Sequence, residues 1–237
     1  MHIPRLLGGR WQPDRLGGLI LWLDAGFGVL NASGNPAADL DPVKDWRDRS
    51  PQSNHFGTSS SSRRPVYRTG VVNGRAVLRF DGVDDTMGAS ANITGAAFTI
   101  AAVFDDTGSG SAERAVCGFI QGSLYARQYA TANWGVYAEV AQDIDGGVDV
   151  GATHQLCVAV ARSASDIDLV TDGSLVNRTN GSGWPSRSGT TVGSEPTPLQ
   201  YHNGDIAEVV VYNRALAAGE RRKLERYLGR KYGIGVA

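Results

Sequence analysis

Eight short apolar runs, each bounded by glycine-, proline-, serine- or asparagine-rich clusters, limit what this chain can fold into. They are LILWLDA (19–25), AVLRFDG (76–82), FTIAAVFD (98–105), RAVCGFI (114–120), NWGVYAEV (133–140), HQLCVAVAR (154–162), IDLVTDG (167–173) and DIAEVVVYN (205–213). Several alternate in the period of two that gives a strand two different faces: Val77, Arg79 and Asp81 point one way, Leu78 and Phe80 the other. TIAAVF and LCVAVA are apolar throughout, which suits central strands covered on both sides. The clusters between runs (NASGNP, DTGSGS, DGG, NGSGWPSRSG) are turn chemistry. Glycine supplies 31 of 237 residues, roughly twice ordinary usage, as closely spaced turns require. No segment repeats. The pattern predicts an all-β chain: a two-sheet antiparallel sandwich of eight or more strands, at a length one core can serve.

The chain end departs from that pattern. In GDIAEVVVYNRALAAGERRKLERYLGRKYGI (204–234), a strand over 206–212 is followed by a helix predicted over 218–232. Leu224, Tyr227, Leu228 and Tyr232 fall at i, i+3, i+4 and i+8 and form one apolar stripe, with Arg221, Arg222, Glu225 and Arg226 on the other face. Glu220 suits the positive N-terminal end of the helix dipole, Arg230 and Lys231 the negative end, and Gly233 stops the helix. A sandwich leaves strands exposed, so this single C-terminal α-helix is expected to cover an edge or the floor and pin the chain end.

Formal net charge is −1, which argues against a nucleic-acid partner. Of 23 basic residues only Lys44, Lys223 and Lys231 are lysines, so 20 are arginines. No run of about 18 apolar residues predicts a membrane span, and MHIPRLLGGRWQPDRLGG (1–18) lacks the apolar stretch of a secretory signal. Both features point to synthesis in a cytoplasm without export by the general route. Cys117 and Cys157 lie inside apolar strand-like runs and read as buried free thiols. Residues 1–18 read as an arm, with Arg5, Arg10 and Trp11 as its anchoring side chains, ahead of one domain over 19–237.

Four segments, in order, resemble the laminin-G-like branch of the concanavalin A-like lectin/glucanase superfamily, as found in bacterial surface proteins and bacteriophage structural proteins. They are LILWLDAGFGV (19–29), WRDRSPQSNHF (46–56), RPVYRTGVVNGRAVLRFDGVDD (64–85) and the terminal segment (204–234); IDLVTDGSLV (167–176) is similar to that branch's strand–DG–strand hairpin. The resemblance implies a jelly-roll sandwich. It departs at Ala217, where a capping Ser or Asp is more usual; a missing N-cap costs about 1 kcal/mol.

Candidate sites are few. Asp81, Asp84 and Asp85 crowd three carboxylates into FDGVDD, and relatives in the superfamily sometimes hold calcium near loop carboxylates. The alternative is that these side chains bond turn amides. Calcium is the one cofactor admitted; otherwise none is expected. DIDGGVD (143–149) superficially suggests a calcium loop but lacks the fifth-position Asp/Asn and the terminal Glu, and reads as a glycine turn. Glycoside hydrolysis needs two opposed carboxylates, and the nearest pair, Asp166 and Asp168, comes without a glutamate partner. No nucleophile, zinc-protease or P-loop motif occurs. No catalytic residue is assigned, and the chain is expected not to be an enzyme. Tyr125, Tyr129 and Trp184 lie in glycine-rich surroundings and are candidates to stack on sugar rings. Trp22, Trp46, Trp134 and Tyr137 read as core or interface, and His154 as a structural histidine opening a strand.

The resemblance and the arm together lead to the expectation of a virion structural protein. It would decorate a capsid or associate with a tail, be assembled in the host cytoplasm, and be exposed on the particle. Its partners would be a major capsid or tail protein, host-surface glycans and further copies of itself, with no nucleic acid or membrane. The alternative is a carbohydrate-binding adhesion module; a glycoside-active enzyme comes third.

Overall fold

The computed structural model describes residues 11–89, 97–108, 113–119, 122–127, 133–137, 143–163, 166–179, 189–196 and 200–237. The strands among them, in chain order, are β1 (Leu19–Asp24), β2 (Val29–Asn31), β3 (Val43–Trp46), β4 (Phe56–Gly57), β5 (Val66–Val72), β6 (Arg75–Asp81), β7 (Met87–Ala89), β8 (Phe98–Phe104) and β9 (Arg114–Phe119). They continue as β10 (Gly122–Arg127), β11 (Gly135–Tyr137), β12 (Asp143–Asp145), β13 (Gln155–Ser163), β14 (Asp166–Thr171), β15 (Ser174–Thr179), β16 (Thr190–Val192) and β17 (Asn203–Tyr212), and the chain closes with α1 (Ala218–Tyr232). One sheet runs β15-β14-β13-β8-β17-β6-β5, with β1 also on β17; the other runs β12-β11-β10-β9-β16-β7-β4-β3-β2. The described pairings are antiparallel, so the architecture is the predicted all-β sandwich with one C-terminal helix.

Strand β17 organises its sheet. One side pairs with β8, while the other side pairs with β6 over Asn203–Ile206 and then with β1 from Glu208 to Tyr212. The β8 register shifts between Ile206 and Glu208. Such a bulge lets one long strand bend between two partners.

Between the sheets lies a core that includes Leu21, Leu23, Trp46, Phe56, Leu78, Phe80, Phe104, Trp134, Leu169, Val209 and Val211. Cys117 and Cys157 are buried there as free thiols, and burial pushes both thiol pKa values up. The middle strands of the first sheet are apolar on their outer face too. Ala101, Val103, Leu156, Val158, Val160, Val210 and Tyr212 form a second cluster, which Leu224, Leu228 and Tyr232 of α1 complete. Burying such a side chain contributes about 1.5–3 kcal/mol, so strands apolar on both faces require a cover on each. This is why the chain ends in a helix, and it corrects one expectation: α1 lies over the face formed by the middle strands, whereas the sheet's outermost strands are β15 and β5. Glu225, placed on the exposed helix face by periodicity, is 1% exposed and is ion-paired to Arg221.

The helix ends as predicted. Gly233 sits at φ 72°, a left-handed conformation that suits glycine. At the other end Ala217 offers no capping side chain, and Glu220 supplies what it can: its Oε2 accepts the Ala217 amide at 3.0 Å. Arg214 holds both Glu220 oxygens, at 2.7 and 2.8 Å. These bonds, Arg214 first and the Ala217 amide second, hold the Glu220 pKa down at about 2.

The described part of the arm packs on the chain's own sandwich. Tyr212 Oη donates to the Pro13 carbonyl at 2.9 Å and Arg214 Nε to the Gly17 carbonyl at 2.8 Å. Arg5 and Arg10 lie outside the described residues.

Candidate functional site

A cleft of about 480 Å³ opens beside α1, lined by Trp11, Gln12, Asp24, Gly26, Arg49, Arg75, Lys223, Arg226, Tyr227, Arg230 and Lys231. Helix periodicity builds one wall. Lys223, Arg226, Tyr227, Arg230 and Lys231 occupy i, i+3, i+4, i+7 and i+8, a stripe beside the apolar one that binds the sheet. The β5–β6 hairpin brings Arg75 to the cleft because its turn residue Asn73 donates from Nδ2 to the Lys231 carbonyl at 3.1 Å, fixing the hairpin tip against the helix. Trp11 arrives from the arm and meets the Tyr227 ring edge-on, with centroids 5.9 Å apart.

The floor is a buried polar network. Glu208, 0% exposed, accepts from Trp22 Nε1 at 2.6 Å, Lys231 Nζ at 2.6 Å, Tyr232 Oη at 2.7 Å and Tyr227 Oη at 3.3 Å. Asp24 is bound by Lys231 Nζ at 2.8 Å and by Arg49 Nη1 at 2.5 Å. The Arg49 guanidinium stacks 3.9 Å over Trp22 and 4.9 Å over the exposed ring of Phe27. Burial pushes Glu208 up, with Lys231 acting against it. Burial acts on Asp24 as well, but Lys231, the Gly26 amide and Arg49 together hold its carboxyl below the usual range. Two carboxylates and two cations thus cancel within the floor. The rim is different: Arg75, Lys223, Arg226 and Arg230 are exposed, and none has an ion-pair partner among the described residues.

The residues singled out from the sequence go elsewhere. Asp81, Asp84 and Asp85 do converge, with one oxygen from each within 4.8 Å of the others. Asp81 Oδ1 accepts the Val83 and Asp84 amides at 2.8 and 3.3 Å, and Asp85 Oδ2 accepts the Asp81 amide at 3.0 Å, so turn amides engage two of the three. Burial, then Asp81 and Asp84, raise the Asp85 pKa to about 7. Tyr125, a candidate to stack on sugars, is 1% exposed and its hydroxyl is bonded to buried Glu195, so it faces the interior, turned there by the pairing of its strand with β9 and β11. Tyr129 and Trp184 lie outside the described residues. Trp11 lines the cleft. Trp22, Trp46 and Trp134 are buried, as expected. Asp166 and Asp168 share one arginine, Arg162, at 2.9 and 2.6 Å.

One histidine cluster was not foreseen. His154 lies with Nδ1 3.5 Å from Asp105 Oδ2 and Nε2 3.9 Å from Asp205 Oδ2. Arg79 grips both oxygens of Asp205 at 2.7 Å, and Asp105 Oδ1 takes the Asp205 amide at 2.7 Å. Strand register brings them together: Asp205 faces Arg79 across β17–β6, and Asp105 follows β8 directly. His202 is a buried neutral ring edge-on to Phe80 and Phe104, its pKa pushed down by burial to about 4.

Sequence reasoning treated the basic helix residues as a solvated face and dipole partners. The signal that could have found the cleft was the Lys–Arg–Tyr–Arg–Lys spacing of 223, 226, 227, 230 and 231 beside the apolar stripe.

A family model described as the concanavalin A-like lectin/glucanases superfamily matches residues 81–220. No curated protein matches by sequence. Among solved structures, a Trypanosoma rangeli sialidase in complex with a difluoro-KDN compound is similar at TM-score 0.61 and 16% identity, over 99% of this chain and 36% of the sialidase. The chain therefore spans about a third of that protein. An arabinofuranosidase complexed with arabinofuranosyl-alpha-1,2-xylobiose is similar at TM-score 0.63 and 12% identity, over 92% of this chain and 60% of that one. Domain 4 of AbnA, a GH43 extracellular arabinanase from Geobacillus stearothermophilus, in complex with arabinotriose, is similar at TM-score 0.59 and 12% identity, over 87% of this chain and 98% of the domain. At such identities the likeness is one of fold. These findings overturn the expectation of a virion structural protein: the similar folds are those of a sialidase, an arabinofuranosidase and an arabinanase domain, and capsid decoration or tail association finds no support in them.

Proposed function

The chain belongs to the concanavalin A-like lectin/glucanases superfamily, and on that premise we propose that it is a carbohydrate-binding module, holding a saccharide in the helix–sheet cleft without cleaving it. The observation that carries this reading is the composition of the cleft wall. Two partly exposed aromatic rings, Trp11 and Tyr227, stand among guanidinium, ammonium and amide donors, in a concavity sized for one or a few sugar rings. Sugars present apolar C–H faces and hydroxyl rims, so rings beside fixed donors match both parts. The arabinanase domain of similar fold is described in complex with arabinotriose, which supports a saccharide as the ligand class.

Binding without hydrolysis follows from the carboxylates. Glycoside cleavage requires an acid and a second carboxylate across one bond. Asp24 is the one carboxylate among the described lining residues, and Lys231 and Arg49 keep it ionised. A carboxylate held below its usual range cannot serve as a proton donor near neutral pH.

A panel of immobilised glycans, followed by titration calorimetry on the hits, tests the reading. Trp11→Ala is expected to weaken binding by roughly tenfold, the scale of one aromatic contact, with an unchanged circular dichroism spectrum. Absence of binding to any saccharide ends the reading, and release of reducing sugar from a bound glycan ends its non-catalytic part.

A further inference from the structure

Resting on the glycan-binding reading, we propose that the cleft selects anionic saccharides, those bearing carboxylate or sulfate groups, through Arg75, Lys223, Arg226 and Arg230. On the floor, Asp24 and Glu208 cancel Arg49 and Lys231. On the rim, four cations remain, without an ion-pair partner among the described residues, in a protein whose net charge is only −1. Such a concentration is not a by-product of overall charge. It is also unfavourable for the helix: Lys223–Arg226 and Arg226–Arg230 stand at i,i+3 and i,i+4, where like charges destabilise and a glutamate would help. The helix glutamates pair with other basic residues, Glu225 with Arg221 on the helix and Glu220 with Arg214 ahead of it. The four cleft cations have no such pair among the described residues.

The chemistry of the rim names the ligand. An arginine fork binds planar or tetrahedral oxyanions through two parallel N–H···O bonds, stronger than neutral hydrogen bonds. Three of the four cations are arginines, and they line the same cleft as the Tyr227 ring, so a sugar stacked there would bring ring substituents toward them. A cleft with low-dielectric walls and one sign of charge also concentrates anions from solution. Polynucleotides carry the same sign of charge, but their binding sites combine a basic track far longer than one cleft, and the chain as a whole is not basic.

The test measures affinity for four size-matched probes: a neutral oligosaccharide, a uronate oligosaccharide, a sialylated one and a sulfated one, at low and high salt. Acidic probes are expected to bind roughly tenfold or more tightly than the neutral one, as charge-assisted bonds imply. Added salt should weaken the acidic probes and spare the neutral one. The order among uronate, sialic and sulfate probes assigns the anion. In Arg226→Gln/Arg230→Gln the ratio of acidic to neutral affinity should collapse toward one, and Arg226→Lys/Arg230→Lys should restore part of it. Equal affinity for neutral and acidic probes overturns the inference and leaves the glycan-binding reading standing. Failure of every saccharide overturns both. A short single-stranded oligonucleotide bound more tightly than any acidic saccharide also overturns it, by assigning the cleft to phosphates.

Discussion

The helix-covered part of the β17 sheet and its loop end beside Asp105 both gather charged side chains, but they resolve that charge differently. At the loop end, Asp105 and Asp205 lie against His154 and Arg79, while Asp81 and Asp85 take backbone amides. The donors there belong to the fold. Over the helix, the floor is equally self-contained, with Glu208 and Asp24 bound to Lys231 and Arg49, yet the rim above it carries four cations that the fold does not answer. Charges answered internally hold segments together; charges left unanswered in a concave place are where an outside ligand can contribute.

The largest effect expected from breaking this contrast is at the floor. Glu208→Ala leaves the Trp22 indole N–H and the Tyr232 hydroxyl without this buried acceptor and Lys231 with Asp24 as its remaining carboxylate. Removing one member of a buried ion pair costs about 3–5 kcal/mol, and urea denaturation should show it; a loss below 1 kcal/mol would mean the network does not anchor α1. Next is Arg79→Met, which strips the 2% exposed Asp205 of two charge-assisted bonds. Because Arg79 is itself 45% exposed, the expected loss is only about 1–3 kcal/mol, as for an acceptor left partly unsatisfied. Saccharide affinity should stay as in the parent, since Arg79 does not line the cleft; a parallel fall in affinity would erase the distinction between the two regions.

Smaller still, Ala217→Asp should stabilise the fold by about 1 kcal/mol. Ala217 already has the extended backbone of an N-cap (φ −63°, ψ 153°) and lacks only the acceptor. A melting temperature that does not rise would show that the Glu220–Arg214 arrangement already satisfies this terminus. The smallest effect concerns Asp85. Its folded pKa, about 7, lies above the unfolded value of 3.8, so the folded state binds more protons between those limits. Stability is then fully present below about pH 4 and declines as pH rises to 7. Asp85→Asn should flatten that slope and leave the parent slightly less stable than the variant at pH 8. A slope of opposite sign would show that the carboxylate is stabilised in its charged form there.

Much of the fold was legible because strand periodicity is local. Each of the eight apolar runs contains or overlaps a strand, and Leu78 and Phe80 face the inter-sheet core while Arg79 and Asp81 point out, as alternation demanded. Strands of two to four residues, such as β4, β7 and β16, gave no such pattern, because so short a stretch is held in place by its neighbours in the sheet. The site was less legible. Tyr125 reads as a ring in a glycine-rich region, yet strand pairing turns it inward onto Glu195. The cleft joins Trp11, Arg49, Arg75 and the 223–231 stripe, which lie up to 220 positions apart (11 to 231) and share no local signal.

By itself the sequence determined the element types: period-two runs make strands wherever they land, and a 3.6-residue stripe ended by glycine makes one helix. Only the tertiary structure decided which charges are answered. Pairing depends on distances of a few ångströms between residues far apart in the chain, and those distances are set by how β17 places β1, β6 and the helix around it.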